Sequence, residues 1–126
     1  MQNPKKIAVY LDHYQAILFN FGITAIEFKS IDSDFNFQDL KEIKQKGESH
    51  LHNKEQQLQH KYYENIGDAI LDFNEVLLFG PTDAKTELFN VLMENSKFGK
   101  IKIVVKASDK LTENQQLEFV NKYFMI

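Results

Sequence analysis

Two β-rich apolar runs open the chain, KIAVYL at 6–11 and QAILFNF at 15–21, separated by Asp12-His13-Tyr14. That spacing predicts a hairpin with a short loop. After Gly22, Ile23, Ala25 and Glu27 alternate with Thr24, Ile26 and Phe28, which predicts a third antiparallel strand. From Ser33 to about Asn53 the periodicity dissolves into polar residues around a lone Gly47, the pattern of a mobile loop with room for one helical turn at QDLKEIKQ. Leu58, Tyr62, Ile66, Ala69, Ile70 and Phe73 then recur every three or four residues and predict a helix with one buried stripe. Asn53, with Gln56 three residues later, is placed to cap its start.

VLLF at 76–79 has no polar alternation, as a central strand covered on both faces requires. Gly80-Pro81 breaks this run, and Ala84, Leu88, Val91 and Leu92 form the stripe of a second helix. A phosphate loop would need several glycines and free amides around the anion, whereas GPTDAKTEL has one glycine, a proline and Asp83. The stretch therefore reads as a strand end and a turn, with Thr82 or Asp83 capping the helix. IKIVVKA at 101–107 alternates in part, which suits a strand nearer the sheet edge, and Thr112 with Gln115 forms a capping-box pair before a last helix carrying Leu117, Val120 and Phe124. The order βββαβαβα predicts an α/β fold, a mixed five-stranded sheet with flanking helices, as in the ribonuclease-H-like architecture.

LLFGPTDAKTEL resembles the strand-turn-helix of the central domain of class 1 peptide-chain release factors from eukaryotes and archaea and of their bacterial relatives. Gly80, Lys85, Glu87 and Leu88 stand at the matching positions. KASDKLTENQQLEFVNKYF resembles the closing strand and helix of the bacterial relatives, and IAVYLDHYQAILF their opening hairpin. The likeness runs over almost the whole chain and implies descent from a translation-associated module that meets the ribosome or tRNA. In release factors the loop before the long helix carries Gly-Gly-Gln; here Gly47 is followed by Glu48 and Ser49. Release-factor catalysis is therefore not carried over.

At 126 residues the chain is read as a single domain. A content of 43% hydrophobic and 26% charged residues suits a globular protein. No secretion signal and no membrane-length apolar run is legible, so a cytoplasmic protein is expected, with no membrane partner. Absent cysteine excludes disulfides and thiolate chemistry. The net charge is −3 and all 15 cationic residues are lysine. Without arginine's planar fork, base-specific reading and DNA binding are not expected, while lysine contacts to a phosphate backbone remain open. Residues 41–61 hold five lysines and three histidines against three glutamates, with Tyr62 and Tyr63 just beyond to stack a base. Lys44, Lys46, His50, Lys54 and Lys61 are the candidate RNA contacts, set against a solvated loop and helix face. His50, His52 and His60 raise a zinc hypothesis, but their spacing straddles loop and helix and favours exposed histidines without metal. Asp12, Asp72 and Asp109 are the carboxylates a two-metal nuclease would need, and the first strand itself holds none. No cofactor motif is present.

The leading expectation is a non-catalytic, release-factor-like binding module. The alternatives are a metal-dependent hydrolase using loop histidines and carboxylates, and a protein-interaction domain without RNA binding that pairs through an exposed sheet edge.

Overall fold

The computed structural model describes residues 5–21, 26–33 and 48–124, with residues 48–55 described by their backbone. The strands β1 (Lys6–Leu11), β2 (Gln15–Phe21) and β3 (Ile26–Asp32) form an antiparallel meander. There follow α1 (Glu48–Ile70), β4 (Glu75–Gly80), α2 (Ala84–Met93), a 3-10 turn (Ser96–Phe98), β5 (Lys102–Ala107) and α3 (Glu113–Phe124). The sheet order is β3-β2-β1-β4-β5, with β1–β4 and β4–β5 parallel. The mixed five-stranded sheet and the element order are those expected.

Both faces of the central strands are buried, which explains why VLLF lacks polar alternation. Ile7, Val9 and Leu11 of β1, with Val76 and Leu78 of β4, face a layer built from Tyr62, Tyr63, Ile66 and Ile70 of α1 and Ala84, Leu88 and Leu92 of α2. Ala8, Leu77 and Phe79 face the opposite way, onto Val120 and Phe124 of α3. Phe79 stacks on Phe119 with centroids 4.6 Å apart. Gly67 lets the first layer close: a Cβ there would meet Leu92 Cδ2 and Phe98 Cζ at 3.1 Å. An interior glycine costs a helix about 1 kcal/mol against alanine, which close packing offsets here.

Two helix boundaries differ from the expectation. The first helix starts at Glu48, so Asn53 lies inside it rather than at its cap. No glycine or proline stands between Gly47 and Gly67. A helix once nucleated propagates through such polar residues without an apolar stripe to announce it. At the other end the helix stops at Ile70, and Phe73 packs against the core from beyond it. The expected turn at QDLKEIKQ lies outside the described residues. The third helix is capped as expected: Thr112 N–H donates to Gln115 Oε1 (3.0 Å), and Gln115 N–H donates to Thr112 Oγ1 (3.3 Å).

Candidate functional site

The parallel strands β1 and β4 end side by side, and the polar residues that follow them are fastened together. Gly80 ends β4 at φ +154°, where a Cβ would lie 2.2 Å from the Leu11 carbonyl oxygen; only glycine permits this approach. The turn then enters α2 with Ala84 N–H donating to Thr82 Oγ1 at 3.2 Å. Asp83 occupies the cap position without a side-chain cap bond, so Thr82 fills the role left open between the two. Lys85, 8% exposed, turns its ammonium onto the Thr82 carbonyl. A lysine bound to its own turn in this way is a structural clip rather than a phosphate ligand.

Across from this turn, Asp12 Oδ1 accepts from the backbone N–H of Tyr14 (2.7 Å) and Gln15 (2.8 Å), which shapes the β1–β2 loop and presents His13. His13 Nε2 lies 3.1 Å from Glu87 Oε2 on α2. Tyr63 of α1 donates its hydroxyl to Glu87 Oε1 at 2.9 Å. Tyr62 donates to the Asp12 carbonyl at 2.9 Å, and the Gln59 amide to the His13 carbonyl at 3.3 Å. Burial alone would raise the Glu87 pKa, but the hydrogen bonds from His13 and Tyr63 outweigh it and hold the carboxyl below its ordinary value. Burial, aided by Glu87, pushes the Tyr63 phenol up; burial and then Asp12 do the same to Tyr62. Both tyrosines therefore stay neutral donors. Both oxygens of Glu87 are occupied, so the cluster locks the hairpin onto α1 and α2.

The carboxylates considered for a nuclease do not converge. Asp12 follows β1 and Asp72 precedes β4, at opposite ends of two parallel strands. Asp109 follows β5, separated from β1 by β4, and two strand spacings amount to about 9.5 Å. Two-metal catalysis needs ligands shared by ions about 4 Å apart. Among the described residues no group of three or more histidines and carboxylates could hold a metal ion. Positions 52 and 60 are separated by about 12 Å along α1, too far for one zinc ion. His60 pairs instead with Glu64 at 2.8 Å, one helical turn on.

Lys44 and Lys46 lie outside the described residues. The early start of α1 places positions 50, 54 and 61 on one helix: relative to 50, positions 54 and 61 are rotated by only about 40° and 20°, in a stripe about 16 Å long. Tyr62, Ile66 and Ile70, on the opposite side, are buried, and Lys61 is exposed. Tyr62 and Tyr63 are 1% and 3% exposed, which removes them as base-stacking partners. The helical period puts both rings in the core beneath the hairpin. His13 and Glu87, which the sequence reading missed, are 74 residues apart, and no local pattern couples them.

No protein-family model matches this sequence, and no curated protein is similar to it. Solved structures are similar. Pelota of Archaeoglobus fulgidus superposes with a TM-score of 0.62 at 11% identity, over 96% of this chain and 32% of that one. The fold is the one found in Pelota. Pelota of Thermoplasma acidophilum gives 0.61 at 14% identity, over 94% of this chain and 32% of that one. The archaeal translation termination factor aRF1 gives 0.57 at 14% identity, over 97% and 35%. The chain thus spans about a third of the length of each neighbour. At these identities the likeness is one of fold, consistent with the release-factor central domain that the sequence resembles. Among the described residues no helix is long and apolar enough to cross a membrane.

Proposed function

We propose that residues 1–126 form one release-factor-like domain that works as a non-catalytic binding module of the translation machinery. It contacts the ribosome or tRNA through Lys44, Lys46, His50, Lys54 and Lys61. The observation that carries this reading is the fold shared with aRF1, a translation termination factor. The α1 stripe supports it, since positions 50, 54 and 61 stand on the side away from the core. Lysine without arginine suits contact with phosphate by charge alone. Gly47-Glu48-Ser49 in place of Gly-Gly-Gln supports binding without peptide release.

The test is sedimentation of tagged protein from lysate through a sucrose gradient at low and high salt, beside a variant with Lys44, Lys46, Lys54 and Lys61 changed to glutamine. The wild-type chain is expected to travel with ribosomes at low salt and leave them at high salt. The variant should bind more weakly, its slope of log affinity against log salt reduced by roughly 0.7 per lost phosphate contact. Migration at the top of every gradient, or identical behaviour of the variant, overturns the reading.

A further inference from the structure

Among the described residues the sheet has two outer edges, β3 and β5. Hydrogen bonds fix which backbone groups of β3 face outward. Asp12 N–H donates to the Gln15 carbonyl, and Ser33 N–H to the Tyr14 carbonyl, in the same registers as the β1–β2 and β2–β3 ladders. Bonded pairs alternate along an antiparallel ladder. Residues 15, 17 and 19 of β2 therefore bond to β1, while 16, 18 and 20 bond to Ile31, Lys29 and Glu27 of β3. The N–H and C=O of Ile26, Phe28 and Ser30 are left pointing away from the sheet.

We infer that two copies of this chain pair through β3, antiparallel, about a two-fold axis at Phe28, to make one continuous sheet. In that register Phe28 faces Phe28 of the second copy and Ile26 faces Ser30, and these are the residues whose outward backbone groups have no ladder partner among the described residues. Glu27 then faces Lys29 of the second copy, and Lys29 faces Glu27. These fall on the non-bonded pairs, where side chains approach most closely. Neither Glu27 nor Lys29 has a salt-bridge partner among the described residues, and both are exposed. A lysine on an edge strand ordinarily discourages pairing; here the two-fold sets it against a carboxylate. Phe28, 60% exposed and touching Phe19 edge-on at 5.2 Å, becomes half of an aromatic cross-strand pair. It also walls a groove of about 430 Å³ between β2, β3 and α3, beside the proposed axis.

The other edge, β5, lacks this match. A two-fold at Val104 would set Lys102 against Lys106, and these lysines are already used, Lys102 with Glu75 at 3.8 Å and Lys106 over the Tyr123 ring at 5.3 Å. Because the β3 contact centres on five residues, the dimer exchanges with monomer as concentration changes. The inference does not depend on ribosome or tRNA binding.

Reversing the charges tests it. Sedimentation equilibrium over a wide concentration range should show the 14.8 kDa chain approaching twice its mass. Glu27→Lys or Lys29→Glu alone gathers four like charges at the axis and should weaken association about ten- to thirtyfold. The double variant restores opposite charges across the axis and should recover association. Amide exchange gives a second readout: Ile26, Phe28 and Ser30 should gain protection with concentration, while Glu27, Lys29 and Ile31 are protected at all concentrations. A wild-type chain that stays monomeric throughout overturns the inference. So does a dimer indifferent to the single reversals, or a double variant no better than they are.

Discussion

Glu87 holds two partners that come from different parts of the chain, and its ionisation should be felt in stability. Its folded pKa lies below the ordinary 4.5 because the hydrogen bonds from His13 and Tyr63 outweigh burial. A depressed carboxyl pKa contributes stability that is fully present above the ordinary value and is lost as pH falls through the folded one. Urea midpoints taken across the acid range should therefore fall more steeply for wild type than for Glu87→Gln, with the gap between them closing at low pH. Tyr63→Phe should cost about 1 kcal/mol at neutral pH and flatten the same acid slope, since it removes one of the two lowering bonds. Parallel acid profiles for wild type and Glu87→Gln would remove this account. At this scale the sequence spoke unevenly. Gly80 and the Thr112–Gln115 pair were legible because their partners are dictated by local backbone geometry. The His13–Glu87–Tyr63 contact was not, because its members meet only after the sheet has formed.

Among the elements, α3 is the clearest case of local sequence setting a boundary. Its capping box satisfies two backbone groups reciprocally, so Thr112→Ala should lower stability by about 1 kcal/mol, read as a shift in the urea midpoint at unchanged slope. A change within error would mean that packing of Val120 and Phe124 alone holds the helix start. The stripes of α2 and α3 were legible from their apolar spacing, as was β4 from its unbroken apolar run. The start of α1 was not, because residues 48–53 of that helix lack an apolar stripe, and periodicity reports burial rather than helicity. The same limit applies to the proposed contact surface, since His50 and Lys54 fall on the stretch whose helical state the pattern concealed.

For the molecule as a whole, the decisive arrangement is that β1 and β4 send alternate residues into opposite layers. Ile7 and Val9 belong to one layer and Ala8 to the other, so neither layer can melt while the other keeps its sheet. Far-ultraviolet and near-ultraviolet circular dichroism should accordingly report one coincident urea transition; two separated transitions would divide the chain into independent units. The topology also has a consequence in time. β1 pairs with β2 nearly at once, but its other flank waits for β4, and Lys5 meets Asn74 across 69 residues. At 5–20 residues per second, the chain takes roughly 2 to 9 s to grow from the end of β3 at Asp32 to the start of β4 at Glu75. Throughout this interval the strand that will become the middle of the finished sheet is an open border of a three-stranded nascent one. The newborn chain is most exposed to wrong pairing along a strand that the finished molecule buries on both faces.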